Sequence, residues 1–375
     1  MLGTPRRMSR PVLACLAASI LVASFLVPIA DLTSSSSDRL AARSPVTPVL
    51  QSIPLTGVDA GAVAESAVSM ASWDDLLGES HVESLGLAPL PSPSDVSQVA
   101  ARAIAPLRPA IATSQTATDE FGLVGVTTAS PLDETSRILV RVRQDDGWSN
   151  WTPLPVSDHA PDPGSLEAQG VRFGTEPLIT GDADGVQVRI DTPGGVSPVD
   201  PQVVLMNNPV VAEDADLPLG PQQASLPIST VAAATLGAPM PAIITRAQWG
   251  ANEALRRAGP TYSGTIKAAF LHHTVTSNSY TPEEAAQQVR NLYGWFVKGL
   301  RYSDLAYNFL VDRFGRLYEG RAGGMDQAVI GGHTAGFNSD TFAVSAIGNF
   351  QSKDLPPEEM AAIDESVAQL MAWKL

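Results

Sequence analysis

The alternation of apolar and polar positions changes character several times along this chain and divides it into blocks. Residues 11–30 (PVLACLAASILVASFLVPIA) carry no charge, and Arg6, Arg7 and Arg10 precede them. A basic start followed by an apolar run is the pattern of an export signal. The run is also close to bilayer length, so residues 1–30 read as a signal peptide or an N-terminal anchor. Residues 31–112 are Ala, Ser, Pro and Asp with scattered apolar positions and hardly any aromatics. Such text buries too little surface to offset its ordering entropy, which predicts a disordered spacer with at most a short helix at 73–77. From there the period becomes two. Ile138, Val140 and Val142 alternate with Arg137, Arg141 and Arg143, and Val186, Val188 and Ile190 alternate with Gln187, Arg189 and Asp191. Both patterns predict strands with one wet face. Asp146-Gly147 and Asp184-Gly185 are tight-turn signals, so residues 113–210 are expected to form a small all-β, sandwich-like domain. Trp148 and Trp151 fit either sugar stacking or packing at a sheet edge, the second being the plainer reading. Residues 211–240 return to spacer composition and read as a linker.

The block 241–375 carries the candidate chemistry. In 267–276 (KAAFLHHTVT) an apolar run ends in two adjacent histidines. Neighbours on a strand face opposite ways, so one of His272 and His273 should face a ligand and the other should be structural. A helix follows with Thr281, Pro282 and Glu284 as its capping box, and Val289, Leu292, Tyr293 and Phe296 as its buried stripe. Residues 305–311 and 316–319 flank DRFG, a hairpin signal, and place Tyr307 among apolar neighbours. Arg321, His333 and Asn338 lie in Gly-rich loop text, where polar side chains can meet a ligand. Residues 342–348 alternate as another strand. Pro356 opens a last helix with Met360, Ile363, Val367, Leu370 and Met371 on one face.

Charge and cysteine usage narrow the partners. The formal net charge is −15 and becomes more negative once Arg6, Arg7 and Arg10 are set aside, which disfavours nucleic acid and anionic membrane surfaces. Any membrane contact is expected only through an uncleaved N-terminal segment. The single cysteine, Cys15, sits inside the apolar run, so a chain cleaved near Ala30 would have no thiol for a disulfide or a metal site.

Four segments in succession, RAQWGA (246–251), FLHHTVT (270–276), SDLAYNFLVDRFGRLYEGR (303–321) and GGHTAGFNSDTFAVSAIGNF (331–350), resemble the peptidoglycan recognition protein family of N-acetylmuramoyl-L-alanine amidases. The strand-rich region resembles the companion domain found before such amidases in actinobacteria. The resemblance implies an α/β fold, a mixed sheet flanked by helices and preceded by the small all-β domain, with a groove for glycan and stem peptide. It implies a secreted, cell-wall-associated protein whose partner is peptidoglycan. It also implies Zn²⁺ held by two His and one Cys, with His272 as the first ligand and His273 beside it. Tyr307 matches the tyrosine that hydrogen-bonds the reacting centre, and His333, Arg321 and Asn338 match substrate-contacting groove positions. In that family three protein ligands leave one position open for water, which the metal acidifies to a pKa of about 7. The second His and the Cys are expected beyond the helix that opens at Pro356, whereas the sequence stops at Leu375 inside that helix. The amidase domain is therefore expected to be incomplete. His81, in the spacer, and His159, in the β domain, are not expected to substitute for the missing ligands. A peptidoglycan binder that does not cut, or a wall scaffold acting through the β domain, are the alternative expectations.

Overall fold

A computed structural model describes residues 43–70, 105–145, 147–218, 237–350 and 355–375. The apolar run 11–30, the helix expected at 73–77, His81 and Asp146 lie outside the described residues. Among those described, no helix is long and apolar enough to cross a membrane.

The β domain is one antiparallel sheet curled around its own core. Its strands are β1 (Val49–Pro54), β2 (Leu107–Ala112), β3 (Thr116–Thr128), β4 (Arg137–Gln144), β5 (Gly147–Trp148), β6 (Thr152–Leu154), β7 (Phe173–Gly174), β8 (Leu178–Pro193) and β9 (Gln202–Asn207). The order is β1-β9-β3-β8-β4-β5, with β2 also on β8, β6 on β4 and β7 on β3. The long β8 bridges the curl. One of its edges pairs with β4, while the other is shared by β3 along 178–186 and by β2 along 189–193. Ile138, Val140, Val142, Val186, Val188 and Ile190 all enter the enclosed core, as their alternation predicts.

Three expectations for this region are corrected. The segment 31–112 is not spacer throughout: β1 pairs with β9, β2 pairs with β8, and Ala60–Met70 forms helix α1. These pieces are short, and partners far along the chain supply their burial, so local composition does not reveal them. Asp184-Gly185 is not a turn but the interior of β8. A Cβ on Gly185 would stand 3.0 Å from Arg143 Cβ and 3.3 Å from the Thr116 carbonyl oxygen, so the glycine serves close strand approach. The expected wet face of β8 is buried as well. Arg189 donates to both carboxylate oxygens of Asp191 (2.9 and 2.8 Å) and to Ser66 Oγ of α1 (2.7 Å). Polar residues therefore go inside because each finds a partner there. Trp151 is buried against Leu139, and the Arg141 guanidinium lies 5.3 and 5.0 Å from the Trp148 and Trp151 ring centroids, an arrangement that favours the packing reading.

The second sheet has the order β10-β13-β12-β14-β11: β10 (Ile243–Ile244), β11 (Ala268–His273), β12 (Phe309–Val311), β13 (Leu317–Glu319) and β14 (Thr341–Ala346). It is mixed. The β12–β13 hairpin is antiparallel around DRFG, with Gly315 at φ 78°, whereas β14 runs parallel to both β12 and β11. Helix α2 (Ala285–Gly294) and its continuation over Trp295–Gly299 cover one face, and α3 (Pro357–Lys374) covers the other through Ile363, Val367 and Leu370. The Glu284 carboxylate accepts the Thr281 N–H (2.7 Å), the backward half of the expected capping box.

Helix α2 is buried well beyond the stripe its sequence predicts, because the β domain packs on its other side. Leu123, Val204, Met206 and Leu217 share one core with Val289, Leu292, Trp295 and Phe296. Their neighbours Val124, Val203 and Leu205 face the β core. Strands β3 and β9 thus bury both faces, which explains why 202–207 (QVVLMN) reads as a continuous apolar run. Polar contacts reinforce the seam. Arg290 donates twice to Asp214 (3.0 and 2.7 Å) and Asn208 donates to Asn291 (2.9 Å).

Candidate functional site

The loops that present the candidate residues are held by a small set of buried polar anchors. The Asp304 carboxylate accepts the N–H groups of Leu305 (2.8 Å) and Ala322 (3.0 Å) and pairs with Arg246 (3.1 Å). The backbone N–H of Arg321 donates to the Tyr307 carbonyl (2.9 Å) and that of Gly332 to the Ala306 carbonyl (2.9 Å). This lacing puts Tyr307, Arg321 and His333 side by side, although 26 positions of sequence separate the first from the last. Gly331 serves it, since a Cβ there would stand 2.5 Å from His333 Cδ2 and 3.1 Å from the Ala306 carbonyl oxygen.

Four of the five candidates predicted from sequence form one cluster of side chains. His272, on the edge strand β11, has its ring 5.7 Å from that of Tyr307 and 5.4 Å from that of His333. Arg321 is buried beside the Gly331-Gly332-His333 turn. Asn338, the fifth, is fully buried and acts on the backbone: its Oδ1 accepts the N–H groups of His333 (2.7 Å) and Thr334 (3.0 Å). His273 turns from its neighbour, as strand alternation requires, and its Nδ1 accepts the Phe350 N–H (3.1 Å).

Burial sets the protonation states. Desolvation, followed by the charge of His159, pushes His272 down to about 4, and desolvation followed by the charge of His272 pushes His333 down to about 3. Both imidazoles are neutral at neutral pH. Desolvation likewise raises the Tyr307 phenol well above its ordinary value, so its hydroxyl keeps its proton. A neutral imidazole and a protonated phenol are the states required of a metal ligand and of a hydrogen-bond donor.

Sequence reasoning missed His159, Glu176, Asp162 and Glu167. His159 was expected to be remote in the β domain, but it is buried in this cluster with its ring 5.3 Å from His272. Its Nε2 is 2.9 Å from the Tyr307 hydroxyl, and its Nδ1 donates to Glu176 (3.0 Å). Burial alone would lower the His159 pKa. The Glu176 charge and hydrogen bond outweigh burial and raise it, and His159 in return holds Glu176 below its ordinary value. Farther along the same loop, both Asp162 and Glu167 bond to groove residues. No local signal marks these four; only the interdomain seam brings them here.

His272, with its lone pair free of a proton at neutral pH, fits the role of one zinc ligand. Among the described residues, the group whose ligand atoms all lie within 4.8 Å of one another is Asp158, His159 and Glu176, with His159 against Tyr307 and His272. His333 Nε2 and Arg321 Nη1 are buried with no hydrogen-bond partner among the described residues, which suits a site built to take a polar ligand.

Residues 262–374 match the N-acetylmuramoyl-L-alanine amidase family, and residues 88–216 match the family described as Rv3811 N-terminal galactose-binding domain-like. The C-terminal block is an amidase-family domain. It is 34% identical over 120 residues to peptidoglycan-recognition protein 1 of Holotrichia diomphalia, a match covering 32% of this chain and 57% of that one. It is 28% identical over 120 residues to peptidoglycan-recognition protein SC2 of Drosophila melanogaster, covering 32% of this chain and 62% of that one. The chain thus spans little more than half the length of these relatives. Among solved structures, Drosophila peptidoglycan recognition protein SA is similar at 29% identity and a TM-score of 0.31, over 36% of this chain and 75% of that one.

Proposed function

We propose that this chain is an exported, zinc-dependent N-acetylmuramoyl-L-alanine amidase acting on peptidoglycan. The observation that carries the reading is the gathering of a neutral His272, a protonated Tyr307, His333 and Arg321 in one cluster. The basic-then-apolar start supports export, and the β domain, with β1 and β2 added to the block 113–210, and the block 241–375 are proposed as the working domains. His272 would be one ligand of the zinc ion, which when bound supplies an acidified water and polarises a carbonyl. Tyr307 would donate its hydroxyl proton to the oxygen that gains charge as the amide carbon becomes tetrahedral. Arg321 would pair with a stem-peptide carboxylate, His333 would offer its free Nε2 to the ligand, and Asn338 would hold the 333–334 turn in place.

Recognition without cleavage is the second reading, favoured by one observation: the Tyr307 hydroxyl is already engaged by His159. Incubating the chain with purified peptidoglycan and zinc, then measuring new alanine amino termini, separates the two. Release that a chelator abolishes supports the amidase. Binding without release selects the recognition protein. Absence of both removes peptidoglycan as the ligand.

A further inference from the structure

Three of the predicted site residues, Tyr307, Arg321 and Asn338, are met by the same loop of the β domain, while His333 Nε2 is left without a partner among the described residues. From residues 157–170, His159 Nε2 meets the Tyr307 hydroxyl at 2.9 Å. The Glu167 carboxylate takes the Arg321 guanidinium in a part-buried ion pair and also accepts the Ser303 N–H (2.9 Å). Asp162 Oδ1 accepts the N–H groups of Gly336 (2.9 Å) and Asn338 (3.1 Å) and the Asn338 side-chain amide (2.7 Å), and its Oδ2 accepts Ser339 Oγ (3.1 Å). Tyr302 and Asn338 fasten the loop backbone by donating to the carbonyls of His159 (2.6 Å) and Ala160 (2.9 Å).

The chemistry of these contacts is that of a ligand. An acidic peptide segment lies against a guanidinium, an amide and two loop N–H groups, as a carboxylate-bearing stem peptide would. We infer that residues 157–170 are an intramolecular occupant of the substrate groove, a strap that must leave before a carboxylate-bearing muramyl peptide can enter. This rests on the reading of the cluster as a peptidoglycan site. The strap and the ligand would then compete for Arg321 and Asn338, and apparent affinity falls in proportion to the fraction of molecules with the strap undocked. The strap also explains how the Tyr307 hydroxyl can be engaged in a catalytic chain: His159 holds it only while the strap is docked.

The test uses the full chain and the isosteric substitutions Glu167→Gln and Asp162→Asn together, which remove charge without opening a cavity. Calorimetry with a soluble muramyl tripeptide reads affinity. Amide exchange at Gly336 and Asn338, whose N–H groups donate to Asp162, reads strap release without any ligand. Faster exchange at both amides with affinity tighter than wild type is expected, by up to about tenfold, the limit reached if a strap docked in nine molecules of ten is fully released. Faster exchange with equal or weaker affinity overturns the strap, because the loop then leaves without freeing the groove or contributes to binding itself. Unchanged exchange also overturns it, since these carboxylates would not be holding the loop. If neither form binds the peptide while exchange shows release, the peptidoglycan reading fails, and the competition goes with it.

Discussion

Tyr307 holds two contacts with one hydroxyl, and removing that hydroxyl tests both. The tyrosine is buried at 1% exposure with its oxygen 2.9 Å from His159 Nε2. In Tyr307→Phe, amide release should fall by roughly 10²- to 10³-fold, the usual effect of deleting one donor to a developing oxyanion, while zinc content stays as in wild type. The same change strands a buried imidazole nitrogen, so thermal unfolding should show a loss of about 1–3 kcal/mol. A variant that keeps its rate would remove Tyr307 from the chemistry. One that keeps its rate but loses stability would leave it only the His159 contact. At this scale the sequence was informative where motifs run locally. The positions of His272, Tyr307, Arg321, His333 and Asn338 were all readable from text. It was silent on His159, Asp162 and Glu167, because the stretch 157–170 has the Pro, Gly and acidic composition of an ordinary connector, and the groups these three meet in the second domain lie well over a hundred positions away.

Among the elements, the strap has a pH dependence that Asp162 sets. Burial would raise the Asp162 pKa, but the hydrogen bonds from Asn338, Ser339 and Gly336 outweigh that and lower it below the usual value of 3.8. A carboxylate depressed in the folded state contributes stability above its unfolded pKa and loses it as pH falls through the folded value. Asp162 therefore holds the strap at full strength at neutral pH and releases it only below about pH 4. Amide exchange at Gly336 and Asn338 should be insensitive to this group between pH 5 and 7, once corrected for the intrinsic rate, and should accelerate below 4. Acceleration already at pH 6 would assign the holding to a different group. Elements also mark where patterning misled. The period-two signal found β4 and β8 but predicted a wet face on β8, because Arg189 and Asp191 read as solvent-facing until α1 covers them. The Asp184-Gly185 pair reads as a turn by composition, yet the space it must fit is set by Arg143 on the neighbouring strand.

Over the whole molecule, the two domains fold as partners, since the shared core of β3, β9 and α2 leaves neither domain with a complete surface of its own. One tight point of that seam is Gly125, where an added Cβ would lie 2.3 Å from Trp295 Cη2 and 2.6 Å from Cζ3. Trp295 is buried at 1% exposure and cannot retreat without moving the turn it opens. That turn leads through Leu300, whose carbonyl accepts the Arg172 N–H (2.8 Å), to Tyr302, which fastens His159. Gly125→Ala should therefore destabilise the chain by about 1–3 kcal/mol, the ordinary cost of overpacking. It should also loosen the strap 157–170, visible as faster exchange at Gly336 and Asn338. Gly122→Ala, on the same strand, is the control: its added Cβ would meet nothing closer than 3.9 Å. Equal melting temperatures for the two variants would mean that the domains meet less tightly than Trp295 implies, and the route from the seam to the cluster would have to be abandoned. A lower melting temperature for Gly125→Ala with unchanged strap exchange would keep the seam as a structural contact and separate it from control of the groove.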